Sequence, residues 1–167
     1  FHPNALPFQV KDTPKVFTNF RKICEKKIEI TTVTPTINAL QKTNVIKNNT
    51  TTIPNLKTLG LSEFTQHKNT VFPFKGGELE ALKRLNDYFF NTKNLSLYKK
   101  TRNGLIGINY SSKFSPWLAN GSISAKTIYW YVKSYEKQIT KNQSTYWLIF
   151  ELIWRDYFKY IALKHGN

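Results

Sequence analysis

Cysteine, methionine and acidic residues are scarce in this sequence, and each shortage excludes something. Cys24 is the only cysteine, so an internal disulfide is excluded. A zinc site built on several cysteines is excluded for the same reason. Cys24 continues an amphipathic pattern set by Phe20 and Ile23, so we expect a small buried residue there. The sequence has no methionine, begins at Phe1 and ends at Asn167 directly behind an apolar segment. We therefore expect further sequence on both sides.

Long apolar runs are also lacking. The most apolar stretch, Tyr146 to Phe150, is followed at once by Glu151 and soon by Arg155 and Asp156. A membrane-spanning helix needs about 20 predominantly apolar residues, and no signal peptide is evident. We therefore expect no membrane association and a soluble intracellular location, which is the cytoplasm in a bacterium and the nucleus or an organelle in a eukaryote.

Positive charge and aromatic side chains are abundant. The 25 lysines and arginines outnumber the 10 acidic residues, so the net charge is +15, and the excess is spread along the chain. This charge favours a polyanionic partner, nucleic acid first, because each neutralised phosphate releases counterions. A biased composition with a solvated basic surface explains it equally well. Apolar residues at 40% and aromatic residues at 15% are enough for one folded domain.

The spacing of apolar residues predicts a helix near the start of the chain. It should begin at Thr13-Pro14, with Thr13 as its N-cap, and end near Lys27. Its inward face should comprise Val16, Phe17, Phe20, Ile23 and Cys24. Residues 31–58 are rich in threonine, asparagine and lysine, without any period, which is typical of a long irregular connector.

The second half of the chain is predicted to be mainly α-helical. A helix after residue 77 should point four apolar residues inward, namely Leu79, Leu82, Leu85 and Phe89. A polar loop over residues 98–115 precedes a short helix opened by Pro116 and a longer helix capped by Ser124. The last helix should begin at Ser144 and end at about Lys164. It is apolar on nearly every side, which is typical of the centre of a helical bundle.

The stretch SSKFSPWL, residues 111–118, concentrates hydroxyl groups and a lysine before Pro116. A helix start preceded by hydroxyls offers free backbone N–H groups and the positive end of the helix dipole, which can bind an anion without a glycine-rich loop. Lys113 adds a charge, and Phe114 and Trp117 would wall a flat ligand group. The alternative is that Ser115-Pro116 is an ordinary N-cap and first-turn pair. The spacing does not decide between the two interpretations.

The last helix carries Glu151, Trp154 and Arg155 on one face of an otherwise apolar segment. Buried charges need a partner or a function. One interpretation is an internal Glu151–Arg155 ion pair with Trp154 filling the core. The other is a pocket wall, in which the indole stacks on a ligand and the carboxylate accepts hydrogen bonds from its edge.

Four segments together resemble the photolyase/cryptochrome family, specifically its DASH-type cryptochromes. They are LPFQVKDTPKVFTNFRK, FKGGELEALKRLNDYF, TRNGLIGINYSSKFSPWLANGSIS and STYWLIFELIWRDYFKYIALKHGN, in this order. The resemblance implies that residues 1–30 are the tail of an N-terminal α/β antenna domain and residues 31–70 the interdomain connector. Residues 71–167 would be the first half of an all-helical domain that binds FAD.

The resemblance also implies roles for single residues. The pyrophosphate of FAD would contact the serine stretch, namely Ser111, Ser112, Lys113, Phe114 and Ser115. Tyr98 matches a cofactor-contacting tyrosine, and Arg102 matches a residue that touches the DNA backbone. Glu151 and Trp154 match the pair that faces a flipped-out pyrimidine dimer, and Arg155 matches an arginine on the flavin or substrate side.

The implied function of the intact protein is light-driven repair of cyclobutane pyrimidine dimers by a deoxyribodipyrimidine photolyase. FAD would be the catalytic cofactor, with an antenna chromophore of the methenyltetrahydrofolate type. The partner would be single-stranded or looped DNA, because an unpaired lesion lowers the cost of flipping, and the protein would be a monomer. Two alternatives are a non-enzymatic flavin photoreceptor or regulator that binds nucleic acid, and a basic helical nucleic-acid-binding module without a cofactor.

Some family features have no counterpart in these residues. The tryptophan relay that reduces the flavin is not matched by any tryptophan here, and core packing suits Trp117, Trp130 and Trp147 best. Only about half of the flavin contacts are present. We therefore expect these 167 residues alone to bind FAD weakly or not at all, and to be inactive.

Overall fold

The computed structural model describes residues 1–35, 37, 39, 41 and 51–166, so part of the predicted connector lies outside the described residues. These described residues form six α-helices, namely α1 Phe17–Lys27, α2 Glu78–Asn86, α3 Tyr98–Thr101, α4 Ser115–Ala119, α5 Ala125–Gln138 and α6 Gln143–His165. A π-helical turn, Asp87–Asn91, extends α2. Over the described residues there is no β-strand. The prediction of a mainly α fold is confirmed.

Helix α6 runs between two hydrophobic clusters, which explains why it is apolar on nearly every side. Leu148 packs into a first cluster built on α2, α4 and α5, while Ile153, Tyr157 and Tyr160 pack into a second cluster with α1. None of the helices in the described part of the chain is both long and apolar enough to cross a bilayer.

Helix α6 begins at Gln143, one residue before the predicted Ser144, and Asn142 caps it in a capping box. The side-chain oxygen of Asn142 accepts hydrogen bonds from the backbone N–H groups of Ser144 and Thr145, at 2.8 and 3.2 Å. The Thr145 hydroxyl oxygen accepts the backbone N–H of Asn142 at 3.2 Å. This arrangement satisfies N–H groups that a helix start otherwise leaves unpaired.

The first cluster, around α2, α4 and α5, contains the largest buried side chains, among them Tyr88, Phe89, Trp117 and Tyr135. Two corrections concern apolar residues outside it. Leu79 is 82% exposed, because it lies in the first turn of α2 on the side away from Ala81 and Leu85. Trp130 is 37% exposed, and its indole N–H donates to the Thr31 carbonyl rather than packing in the core.

The second cluster packs α1 against α6 through Phe17, Phe20 and Cys24, and the predicted burial of Cys24 is confirmed. Helix α1 begins later than predicted. The Thr13 hydroxyl donates to the Val10 carbonyl at 2.7 Å within a preceding 3₁₀ turn, so Thr13 does not cap α1. Val16 stands at the N-cap position and is 57% exposed, so it does not belong to the inward face.

Candidate functional site

The serine stretch is held by a buried arginine from α2. The guanidinium of Arg84 donates to the carbonyl oxygens of Ile108, Ser111 and Ser112, at 2.9, 3.2 and 3.3 Å. It also donates to the side-chain oxygens of Asn109 and Asp87, at 3.0 and 3.1 Å. The loop that precedes α4 therefore turns its carbonyl groups toward the interior of the protein.

The same loop keeps its N–H and hydroxyl donors unpaired. Within the described residues, no backbone N–H from Ser111 to Phe114 donates a hydrogen bond, and the hydroxyls of Ser111, Ser112 and Ser115 have no partner. Lys113 has a φ of +64°, in the left-handed region, and Phe114 follows in the right-handed region. Successive residues of opposite hand aim their N–H groups into one concave site that suits an anion.

Two sequence-based interpretations of this stretch are wrong. Ser115 is not an ordinary N-cap, because α4 begins at Ser115 itself, Phe114 occupies the N-cap position and no side chain caps the helix. Phe114 and Trp117 do not wall an exposed site, because they are 2% and 1% exposed and belong to the first cluster. Phe114 can therefore reach a ligand only through its backbone. The ammonium of Lys113 lies 3.5 Å from the centroid of the Tyr110 ring.

A second group of predicted residues meets between α3 and α6. Arg102 and Glu151 form an ion pair at 3.0 Å, with 30% and 29% of their side chains exposed. The Trp147 indole lies 5.7 Å below the Arg102 guanidinium and 4.5 Å from the Lys99 ammonium. The predicted Glu151–Arg155 pair is wrong, because α3 brings Arg102 to the carboxylate from outside α6.

Tyr98 lies at the start of α3, beside this ion pair. It is 7% exposed. Burial raises the pKa of its phenol well above the ordinary range, the Glu151 carboxylate raises it further, and the Arg102 guanidinium opposes the shift. The phenol is therefore neutral at physiological pH, so its O–H remains available as a donor. The structure thus brings Tyr98 and Arg102, at the two ends of α3, together with Glu151 of α6.

The prediction that Glu151, Trp154 and Arg155 share one face of α6 is wrong, because Trp154 and Arg155 contact elements on different sides of this helix. The Trp154 ring stacks on Phe17 of α1, with centroids 3.5 Å apart and an angle of 10° between the rings. Arg155 contacts Asp156 at 3.3 Å and donates to the Leu118 carbonyl of α4 at 3.5 Å. Arg155 therefore joins α6 to the helix that follows the serine stretch, whereas Trp154 faces α1.

The contacts of two residues at the candidate site were not predicted from the sequence. Arg84 lies three residues after Ala81 and immediately before Leu85, which places it on the buried face of α2. A charged residue at that register is a signal for a buried polar contact. Trp147 packs against the first cluster as predicted, but the contacts of its ring with the Lys99 and Arg102 side chains were not predicted. The part of the chain that the structure describes contains no cluster of side chains suited to a metal ion.

Known proteins that are similar to this chain match it over almost its whole length. The cryptochrome DASH of Gloeobacter violaceus is 46% identical over 166 residues, which cover 99% of this chain and 33% of that protein. The cryptochrome DASH of Danio rerio is 46% identical over 168 residues, covering 100% of this chain and 32% of that protein. No family model matches the chain.

The structural comparison agrees. A crystal structure of a Synechocystis sp. cryptochrome matches with a TM-score of 0.84 and 43% identity, covering 99% of this chain and 34% of that one. The chain thus spans about one third of the length of the relatives it matches. Because the identity of 43–46% is measured over 99–100% of the chain and the backbone follows the solved structure, the chain belongs to the photolyase/cryptochrome family, within its cryptochrome DASH group.

Proposed function

We propose that this chain is part of an FAD-dependent, blue-light-driven DNA photolyase that repairs cyclobutane pyrimidine dimers in single-stranded or looped DNA. The observation that carries the proposal is the set of unpaired donors from Ser111 to Ser115. Membership of the family supports a flavin and a nucleic-acid partner in general terms. The choice of FAD and of dimer repair rests on the residues matched by the motifs.

The donor set fits the diphosphate of FAD. Unpaired backbone N–H groups, three serine hydroxyls and the Lys113 ammonium are all donors, and phosphate oxygens are acceptors with negative charge. The Tyr98 phenol and the Arg155 guanidinium are further proposed donors on the flavin side. FAD, when bound in its reduced form, supplies the light-excited electron that splits the dimer. The residues of this chain bind it and orient it toward α6.

The pair between α3 and α6 fits the DNA side of the site. Arg102, with Lys99 and Lys100 beside it, presents positive charge that would contact backbone phosphates. Glu151 pairs with Arg102 through one carboxylate oxygen and is 29% exposed, so its other oxygen can accept hydrogen bonds from the edges of a flipped base. Phe17 and Phe158 both stack on the Trp154 ring, with centroids 3.5 and 5.3 Å away. Trp154 would therefore pack on the dimer in place of Phe158, whose side chain is 62% exposed.

One observation favours a second candidate, a flavin photoreceptor or regulator that binds nucleic acid without repairing it. Both residues proposed to face the dimer already have partners in this structure, since Glu151 pairs with Arg102 and Trp154 stacks on Phe17. A repair enzyme must give up part of these contacts when the dimer enters. A regulator need not.

Wider features of the intact protein are proposed from the resemblance alone. Residues 1–30 would end the antenna domain, residues 31–70 would connect it to the helical domain, and residues 71–167 would form the first half of the FAD-binding domain. A folate-type chromophore would act as antenna, and the protein would be a monomer. The name of the rice relative places that protein in chloroplasts or mitochondria, which supports an organelle as one location.

Replacing Ser112 and Ser115 together by alanine should raise the Kd of the full-length protein for FAD by about tenfold or more. Each hydroxyl donates to a charged phosphate, and such a hydrogen bond contributes about 1.5–3 kcal/mol. Isothermal titration of the apoprotein with FAD measures the change. Ser122→Ala, a serine outside the loop, is the control and should leave the Kd unchanged. An unaltered Kd in the double variant would remove the phosphate role of the stretch.

Glu151→Gln should lower the rate of dimer repair by about tenfold, because a neutral amide accepts weaker hydrogen bonds than a carboxylate. Flavin content should stay the same. Repair of an irradiated oligo(dT) and the flavin absorbance are measured on the full-length protein. Glu25→Gln is a matched control, since Glu25 also pairs with an arginine, at 2.8 Å, and 31% of its side chain is exposed. Loss of flavin, or undiminished repair, would contradict the assigned role.

A further inference from the structure

Arg84 is the buried charge that organises the serine stretch. Only 1% of its side chain is exposed. The guanidinium lies between two aromatic rings, 4.9 Å from the centroid of Phe74 and 4.8 Å from that of Tyr88. Desolvating a guanidinium is costly, so its donors must be paired in return. Three of its five hydrogen bonds go to carbonyl groups of the loop from Ile108 to Ser112.

These contacts fix the direction of the opposite ends of the same peptide groups. In a trans peptide, the carbonyl and the following N–H point in opposite directions. Because the carbonyl groups of Ser111 and Ser112 point toward Arg84, the N–H groups of Ser112 and Lys113 point away from it. Both N–H groups are unpaired within the described residues. Arg84 thus presents two backbone donors on the side of the loop that faces away from the core.

An ion pair with Asp87 is the simpler role for Arg84, but it leaves most of the geometry unexplained. Asp87 accepts one hydrogen bond, at 3.1 Å, and 41% of its side chain is exposed. A guanidinium that served only this pair would gain by lying at the surface with its partner. Instead, the planar group spreads its donors over three carbonyls of one loop, which the forked shape of arginine allows and the ammonium of lysine does not.

We infer that Arg84 is a positioning residue for phosphate binding, which holds the Ser112 and Lys113 N–H groups toward the diphosphate of a dinucleotide cofactor. The inference rests on the proposed function of the serine stretch. Arg84 of α2 would thus contribute to cofactor binding without contacting the cofactor itself. The expected consequence is that binding of a bare diphosphate depends on this residue.

The test adds inorganic pyrophosphate, as the probe, to the ¹⁵N-labelled full-length protein without bound cofactor. In the unchanged protein, the amide resonances of residues 112–115 should shift with saturation as pyrophosphate is added. Arg84→Gln should raise the Kd obtained from these shifts by about tenfold or more. Arg84→Lys, which keeps the charge but lacks the fork, should also raise it severalfold. The matched control is Lys83→Gln, because this neighbour loses the same charge, its side chain is 78% exposed and it does not contact the loop.

The outcomes separate the inference from the proposed function. If the unchanged protein shows no saturable shift at residues 112–115, the phosphate site fails and Arg84 has no such task. If pyrophosphate binds and Arg84→Lys or Arg84→Gln binds it equally well, the positioning role alone is overturned. Thermal unfolding of each variant identifies loss of folding, and if Arg84→Gln does not fold, Arg84→Lys decides the result.

Discussion

Raising the pH from 9 to 12 should lower the free energy of unfolding of the protein by several kcal/mol. Four buried acids have pKa values above their ordinary range in the folded chain, and burial is the first cause in each. The pKa of the Cys24 thiol is raised from 9.0 to about 12. The pKa values of the Tyr88 and Tyr160 phenols are raised from 10.0 to about 12. That of Tyr98 is raised as well.

The sign follows from proton binding. Above pH 9, the unfolded chain releases these protons while the folded chain retains them, so the unfolded state is favoured as pH rises. The stabilisation is complete below the unfolded pKa values and is lost as the pH approaches those of the folded protein. Because each unit of pKa difference corresponds to about 1.4 kcal/mol, the free energy of unfolding should fall by several kcal/mol.

Urea unfolding monitored by circular dichroism at a series of pH values measures this loss. Cys24→Ala removes one of the titrating groups, so its free energy of unfolding should fall less steeply between pH 9 and pH 12. A free energy of unfolding that stays constant over this range would show that the four side chains are accessible to solvent in the folded protein.

Trp117→Ala should lower the free energy of unfolding by about 3–5 kcal/mol, the usual cost of truncating a buried tryptophan. Trp117 is 1% exposed and packs against both Phe72 and Phe74, with ring centroids at 4.9 and 5.7 Å. Its indole N–H donates to the Lys75 carbonyl at 3.1 Å. The substitution leaves a cavity directly behind the serine stretch and removes the partner of that carbonyl.

Trp130→Ala is the matched control for this prediction. Trp130 also donates an indole hydrogen bond to a backbone carbonyl, that of Thr31 at 3.0 Å, but it is 37% exposed and leaves no closed cavity. Urea denaturation should therefore show a loss of less than about 1 kcal/mol for this variant. Equal losses for the two tryptophans would contradict the assigned positions of these residues in and outside the core.

Local sequence signals predicted the positions of the helices better than the contacts that each helix makes with other elements. The apolar spacing that predicted α2, α5 and α6 depends only on residues within one helix, and those helices are present. The predicted N-cap of α1 was wrong, because the Thr13 hydroxyl donates to the Val10 carbonyl in the preceding 3₁₀ turn. Leu79 and Val16 matched the apolar period but lie in the first turn or before it, where no neighbouring element covers them.

The candidate site divides in the same way. The resemblance singled out Tyr98 and Arg102 of α3 and Glu151 of α6, and the fold brings them together, but their proposed roles remain predictions. The pairing itself was missed, because a helical register offers Arg155 as the partner of Glu151 and contains no information about α3. Arg84 was missed for a related reason, since its acceptors are backbone carbonyls, which every residue type supplies alike.

By itself the sequence determined that the segments of α2, α5 and α6 are helical, that Cys24 is buried, and which family the motifs resemble. These properties depend on side-chain type and on spacing within one segment. The prediction of a polar loop from residue 98 was wrong, because α3 occupies Tyr98–Thr101. Tertiary structure alone decided that Arg102 neutralises Glu151, that Trp154 stacks on Phe17, and that Arg84 turns the serine loop. Each of these contacts joins residues far apart in the chain, so it exists only after α6 has packed against its neighbours or the loop has closed over α2.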